Sequence, residues 1–120
     1  DLPVTFSGLL SKKDWIQLST EFDIFLNTTN FDNMPVSVME AMALGLPVVS
    51  TSVGGMPHLI QNGINGVLVP PSDASSFVAA IETLCDHPER VESISNRARK
   101  EIERFDWDGI RSKWIGLLNL

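Results

Sequence analysis

One carboxylate stands alone in a long apolar stretch of the sequence: Glu40 is the only charged residue between Met34 and Val49. A charged group among apolar neighbours is costly unless hydrogen-bond donors meet it. A backbone amide or a lysine of the protein could supply those donors, and so could the hydroxyl groups of a ligand. The residue pattern leaves both interpretations open.

A second carboxylate, Asp32, precedes Glu40 by eight residues and lies ahead of a helix predicted over residues 35–44. Asp32 and Asn33 could simply cap that helix, as Asp and Asn commonly do. Glu40, however, would lie about 1.5 turns inside the helix. A ligand lying across the helix start could therefore touch both carboxylates with separate hydroxyl groups.

The chain around these residues alternates short β-branched segments with helical ones, which is typical of an α/β fold. We predict a Rossmann-like parallel sheet with strands over residues 4–7, 23–28, 47–51 and 66–69. Flanking helices are predicted over residues 14–20, 35–44 and 57–61, and a helical C-terminal third has helices from residue 73, over 88–104 and from 106. Residues 1–120 would thus form one domain, with a sheet region over 1–72 and a helical region over 73–120.

The helix start at Pro35 has a predicted chemical use. Helices that follow parallel strands begin at the carboxyl edge of the sheet, where phosphate-bearing ligands usually bind. The first-turn amides of such a helix have no partner within the helix. A diphosphate is therefore the ligand group expected at this position.

The segment around Asn62-Gly63 admits two interpretations. Asn-Gly is a common hairpin turn, but the preceding segment starts with the helix-initiating Pro57 and has no strand-like alternation. We therefore predict that Asn62-Gly63 is a left-handed cap at the end of the helix over residues 57–61.

The final helix carries an apolar stripe. Its spacing of three, four and three residues is typical of a helix that packs on a core. We expect the stripe to pack on this domain's own sheet, and contact with a partner domain is the alternative. The stripe consists of Trp107, Ile110, Trp114 and Leu117.

The composition excludes several classes of function. A net charge of -6 disfavours nonspecific binding to nucleic acid or to anionic lipid. One cysteine excludes an intramolecular disulfide, and two histidines with that cysteine make no zinc set. No apolar run reaches the ~20 residues that span a bilayer, and the N-terminus has no signal-peptide pattern. We expect a cytoplasmic protein, with peripheral association at the inner membrane surface as a further option for a longer chain.

Six short blocks follow one another along the chain in the order typical of one protein family. They are FSG at residues 6–8, DIFL at 23–26, an acidic-x7-Glu pair formed by Asp32 and Glu40, EAMALGLPVV at 40–49, VGGMP at 53–57 and NGVLVP at 65–70. The series resembles the C-terminal, nucleotide-sugar-binding domain of retaining glycosyltransferases with the GT-B fold, the glycosyl transferases group 1 family. The resemblance implies a partial GT-B C-terminal domain.

By this resemblance, Glu40 would accept hydrogen bonds from the donor's ribose hydroxyls, and Asp32 would hold hydroxyls of the transferred sugar. The other implied donor-binding residues are Asn33, Met34 and Pro35 at the sugar, the backbone amides of Val36 and Ser37 at the diphosphate, and Leu10 and Ser11 at the base. No metal or other cofactor is implied. The family usually has Glu followed by a Gly-Phe-Gly-like run where this chain has Asp32 to Pro35, which leaves the sugar and the activity open.

The resemblance also implies parts that this chain does not contain. The four predicted strands correspond to strands three to six of a six-stranded domain. Strands one and two, a basic Arg and Lys pair for the diphosphate, and the acceptor-binding N-terminal domain would be missing. We therefore expect this chain to be the donor-side half of an enzyme that transfers a sugar from a nucleoside diphosphate to an acceptor hydroxyl with retention of the anomeric configuration. The reaction would belong to polysaccharide or glycolipid synthesis. We also expect this chain alone to be inactive.

The gap left by the missing strands would expose unpaired backbone groups. Either the third strand pairs directly with the fourth, or a second copy fills the gap in a homodimer or strand exchange. Two other functions remain as alternatives: a non-catalytic α/β module that binds a nucleotide or a protein, and a nucleotide-sugar epimerase of similar architecture.

Overall fold

A computed structural model describes residues 2–119 of the chain. The elements in chain order are α1 (Lys12–Ser19), β1 (Phe25–Asn27), α2 (Val36–Leu44), β2 (Val48–Thr51), α3 (Met56–Leu59), β3 (Val67–Val69), α4 (Ala74–Asp86), α5 (Pro88–Ile102), a 3-10 turn (Glu103–Phe105) and α6 (Trp107–Leu118). None of the helices within this described range is long and apolar enough to cross a bilayer.

The three strands form one parallel sheet in the order β1-β2-β3. Phe25 of β1 lies opposite Val48, and Val49 lies opposite Val67 of β3. All four residues of the central strand β2 are buried. The predicted α/β class and the helical C-terminal third are confirmed.

Helices cover both faces of the sheet, because the side chains of β2 alternate between two apolar clusters. Val48 belongs to a cluster on the α2 side, which contains Val38, Ala41, Met42, Leu46, Val48, Met56, Leu59, Ile60 and Ala98. Val49 belongs to a cluster on the α4 side, with Val69, Leu84 and Ile94. Helix α5 contributes to both clusters, so it ties the two faces together.

The first predicted strand, over residues 4–7, is wrong. Leu2, Val4 and Phe6 are exposed by 85%, 61% and 92%, and the backbone bond recorded there is local, from the Val4 amide to the Leu2 carbonyl. A strand needs a neighbour for its backbone groups, and this segment does not pair with β1. The sheet of the described residues therefore has three strands, and one edge of β1 is unpaired.

The helix cap predicted at Asn62-Gly63 is also wrong. Helix α3 ends at Leu59, and its C-cap residue Ile60 has an extended backbone. Gly63 does have a positive φ of 78°, but it lies in a later turn in which its amide donates to the Gly66 carbonyl at 2.8 Å. Asn62 and Gly66 form a parallel bridge, so the alternative hairpin is not formed either.

The final helix does not pack on the sheet, which contradicts the prediction. No residue of α6 is buried, and Trp107, Trp114 and Leu117 are exposed by 64%, 53% and 76%. Its contacts are mainly with the preceding 3-10 turn. The molecule is consequently elongated, with extents of 57 × 29 × 29 Å.

Candidate functional site

The loop between β1 and α2, residues 28–35, carries most of the predicted donor-binding residues, and buried hydrogen bonds hold its beginning. The Asn27 amide donates to the Ser50 hydroxyl at 3.0 Å across the two strands. The Thr51 hydroxyl donates to the Thr29 carbonyl oxygen at the first residues of the loop. These bonds fix the point at which the loop leaves the carboxyl edge of the sheet.

The middle of the same loop rests on two glycines. A β carbon built on Gly54 would overlap the Asp32 carbonyl oxygen, and one built on Gly55 would overlap the Asn33 carbonyl oxygen. Gly54 also has a φ of +53°, which disfavours other residues. These glycines therefore allow the backbone of Asp32 and Asn33 to come close.

The start of α2 is open to a ligand. Pro35 is the N-cap residue and no side chain caps the helix, so neither Asp32 nor Asn33 has the capping role that was considered for them. Val36 is 66% exposed and Ser37 is also exposed. The first-turn amides of both residues lack an intrahelical partner, as at any helix start.

Glu40 lies on the side of α2 that is not packed in the core. The buried face of this helix consists of Val38, Ala41 and Met42. The Glu40 carboxylate is 29% exposed, and its Oε1 lies 3.0 Å from the Nζ of Lys12. The apolar sequence around Glu40 therefore does not produce a buried carboxylate. The hydrogen-bond donor that contacts Glu40 in this structure is a lysine of the protein.

The start of α1 lies near the same carboxylate. Ser11 is the N-cap residue of α1, with its hydroxyl accepting from the Asp14 amide at 3.2 Å and donating to the Asp14 carboxylate at 2.6 Å. Leu10 is partly buried beside it. Helix α1 therefore starts two residues before the predicted position, with Lys12 as its first residue.

A concavity of about 210 Å³ lies between α1 and α2. It is lined by Lys12, Trp15, Ile16, Glu40, Ala43 and Leu44. Pockets that enclose a whole ligand usually measure ~300–1,000 Å³. This concavity is therefore smaller than a pocket that would enclose a whole ligand.

Asp73 caps α4 at the same edge of the sheet. Its carboxylate accepts from the Ser76 amide at 3.0 Å. The Ser76 hydroxyl, followed by that amide, lowers the pKa of Asp73 below its usual value. Asp73 and Thr28 help to line a separate concavity of about 470 Å³. Within residues 2–119, no group of His, Cys, Asp and Glu could hold a metal ion.

The sequence did not predict two contacts of this site. They are the ion pair between Lys12 and Glu40 and the support of the Asp32 loop by Gly54 and Gly55. Lys12 carries no local signal, because its partner is distant in the chain. The glycine pair did carry a signal, since two adjacent glycines commonly mark a close approach of backbone.

Comparison with known proteins adds independent information. The sequence profile of the family "Glycosyl transferases group 1" matches residues 3–101. The chain is 34% identical over 115 residues to the sulfoquinovosyl transferase SQD2 of Arabidopsis thaliana, covering 93% of this chain and 22% of that protein. It is 37% identical over 89 residues to the amylovoran biosynthesis glycosyltransferase AmsK of Erwinia amylovora, covering 69% of this chain and 22% of that protein.

Among solved structures, the fold is similar to HepE of Anabaena in complex with UDP. The TM-score is 0.82 at 28% identity, and the match covers 86% of this chain and 29% of HepE. The chain therefore spans between a fifth and a third of the length of these similar proteins.

Proposed function

The chain belongs to the glycosyl transferases group 1 family and has part of the GT-B fold, and we therefore propose that it forms the donor side of a retaining glycosyltransferase. The complete enzyme would transfer a hexose-type sugar from a nucleoside diphosphate to an acceptor hydroxyl, in polysaccharide or glycolipid synthesis. The observation that carries the proposal is the open start of α2, where no side chain caps the first-turn amides of the helix that carries Glu40. Complexes of HepE with UDP and with UDP-glucose support this donor class.

In this proposal different site residues bind different parts of the donor. Glu40 accepts hydrogen bonds from the ribose hydroxyls, and the first-turn amides of Val36 and Ser37 bind the diphosphate. Asp32 holds hydroxyls of the sugar. Further contacts with the sugar come from Asn33, Met34 and Pro35. Contacts with the base come from Leu10 and Ser11.

No step in this proposal requires a metal or another cofactor. The reaction would depend on stabilising the leaving diphosphate and on placing the acceptor hydroxyl. The α2 amides contribute to the first requirement. Groups outside this chain would have to bind the acceptor and supply further positive charge, because among residues 2–119 Lys12 is the only cation that lines the concavity beside Glu40.

Substitution of Glu40 tests the donor site. Glu40→Gln keeps the size of the side chain and removes its charge, so hydrogen bonds from ribose hydroxyls become weaker. We expect nucleotide affinity to fall by about tenfold or more, because hydrogen bonds to charged groups are the stronger class. Saturation-transfer NMR with UDP, GDP and ADP identifies the preferred nucleotide, and a titration with that nucleotide measures the dissociation constant.

The matched control is Glu82→Gln, which removes an exposed carboxylate on α4. Equal affinities of the two variants would contradict the role of Glu40. Absence of binding by any of the three nucleotides would favour the second candidate, a non-catalytic α/β module. The Lys12–Glu40 ion pair is the observation that favours this second candidate, since it gives Glu40 a structural partner.

Asp32 is tested with the same titration. Asp32→Ala should weaken binding of the nucleoside diphosphate sugar and leave binding of the nucleoside diphosphate unchanged, because only the sugar hydroxyls contact this carboxylate. A parallel loss for both ligands would assign Asp32 to loop structure instead.

The concavity of about 210 Å³ supports the proposal that this chain alone is inactive. Sugar transfer and donor hydrolysis, followed by mass spectrometry, should remain at background for the chain. Turnover by the chain alone would refute this half-site proposal.

Two surfaces support a larger assembly. The apolar face of α6 and the unpaired edge of β1 both lack a partner among the described residues. We assign the α6 face to an acceptor-binding domain, and the β1 edge in the separate chain to a second copy through dimerisation or strand exchange. Light scattering at micromolar concentration should give a dimer mass, and a monomer mass would contradict the pairing of copies.

A further inference from the structure

The Glu40 carboxylate already has a partner within the protein. Its Oε1 lies 3.0 Å from the ammonium of Lys12, and both side chains line the same concavity. Lys12 occupies the first position of α1, next to the Ser11 cap. The hydrogen bonds between Ser11 and Asp14 hold this helix start, so the position of the Lys12 backbone is well defined.

The ion pair competes with a ribose that donates hydrogen bonds to both carboxylate oxygens of Glu40. A carboxylate offers acceptor sites on two oxygens, and a vicinal diol donates one hydrogen bond to each oxygen. The Lys12 ammonium already occupies one acceptor site of the Glu40 Oε1. A diol that bonds both oxygens must therefore displace the ammonium or share its oxygen with it.

Displacement of Lys12 is feasible. Its side chain is 74% exposed, so the ammonium remains hydrated when it leaves Glu40. Exposed ion pairs contribute little stability, and the flexible lysine stem gains conformational freedom on release. We infer that the Lys12 ammonium occupies the ribose position on Glu40 and must be displaced when a ribonucleoside binds, so that Lys12 lowers the affinity for the ribose. This inference rests on the proposed donor site.

The test uses uncharged nucleosides, because the Lys12 charge would also attract a diphosphate and obscure the competition. Lys12→Met and Lys12→Gln remove the ammonium and keep most of the side-chain length. Lys13→Met is the matched control, since Lys13 is the adjacent exposed lysine and no ion pair to it is found among residues 2–119. Uridine, guanosine and adenosine are titrated into each protein and followed by NMR, after unfolding curves show that the fold is intact.

Both Lys12 variants should bind the preferred nucleoside about two- to fivefold more tightly than the unaltered chain, which is the range that an exposed ion pair allows. Lys13→Met should bind like the unaltered chain. The unaltered chain should also bind more tightly as sodium chloride rises from about 0.02 M to about 0.5 M, because salt screens the competing ion pair. The Lys12 variants should not show this salt effect.

Several results would overturn the inference. Unchanged affinity of both Lys12 variants would show that the ion pair does not compete with the ribose, and weaker binding would show that Lys12 contacts the nucleoside directly. If Glu40→Gln abolishes binding while the Lys12 variants match the unaltered chain, the donor site stands and only the competition is refuted. If no protein binds any nucleoside or nucleotide, both proposals fail.

Discussion

Replacing Gly55 with alanine should move the loop that carries Asp32 and Asn33. The β carbon of the alanine would overlap the Asn33 carbonyl oxygen, a backbone atom that cannot rotate away as a side chain could. The φ of Gly55 is -82°, which any residue adopts, so the effect at this position is purely steric. Gly54→Ala adds a backbone penalty, because its φ is +53°.

The expected magnitudes follow from these geometries. Overpacking of this kind costs about 1–3 kcal/mol, which we expect for Gly55→Ala. A left-handed backbone adds about 1–2 kcal/mol for a non-glycine residue, so Gly54→Ala should cost about 2–5 kcal/mol in total. The shifted loop should also weaken binding of a nucleotide sugar more than binding of the nucleotide alone, since Glu40 lies beyond the loop on α2.

Urea unfolding followed by circular dichroism measures the free energy of unfolding, and NMR titration measures the two affinities. Gly116→Ala is the control, because a β carbon there has no atom within 4 Å and the residue lies inside α6. It should be neutral or raise stability by up to about 1 kcal/mol, as expected for glycine to alanine in a helix. If Gly55→Ala unfolds at the same urea concentration as the unaltered chain and keeps its sugar-nucleotide affinity, the loop does not depend on the glycine pair.

Four further substitutions test other contacts by urea unfolding. Asn65→Ala should lower stability by about 2–4 kcal/mol, because the Asn65 side chain is fully buried and bonds two backbone groups and, at 2.6 Å, the Glu101 carboxylate. Glu101→Gln keeps an acceptor but loses the charge, so it should cost less, about 1 kcal/mol. Asp73→Asn should reduce the loss of stability in acid. Because Ser76 lowers the pKa of Asp73 in the folded chain, the ionised carboxylate stabilises the fold above its unfolded pKa of ~3.9, and this stabilisation is lost as the pH falls through the folded pKa. Trp114→Ser should change stability by less than about 0.5 kcal/mol, because Trp114 is 53% exposed on a helix with no buried residue; a large loss would show that α6 packs on the domain in solution.

The elements that carry the candidate site were predictable because their signals are local. Helix α2 and strand β2 begin and end within one residue of their predicted bounds. A proline precedes each element, and Gly45, with a φ of 83°, ends α2 in the left-handed conformation that glycine readily adopts. Proline and glycine act on the backbone of their own neighbours, so no distant contact is needed to locate these boundaries.

Two of the predictions that failed concern partners. The segment over residues 4–7 and the stripe on α6 both have apolar patterns, but the described residues leave Phe6 and Trp107 exposed by 92% and 64%. An apolar pattern indicates which side chains would be buried if a partner were present. It contains no information on whether that partner belongs to the same stretch of chain.

For the site itself, the amino-acid order was enough to place Asp32 before a helix and Glu40 on it, because helix spacing follows from neighbouring residues. It could not show that Lys12, 28 positions before Glu40, contacts that carboxylate. Nor could it show that Gly54 and Gly55 support the backbone of Asp32 and Asn33. These contacts depend on how α1, α2 and the loop before α3 pack around the sheet, and many arrangements of the same helices and strands satisfy the same local pattern.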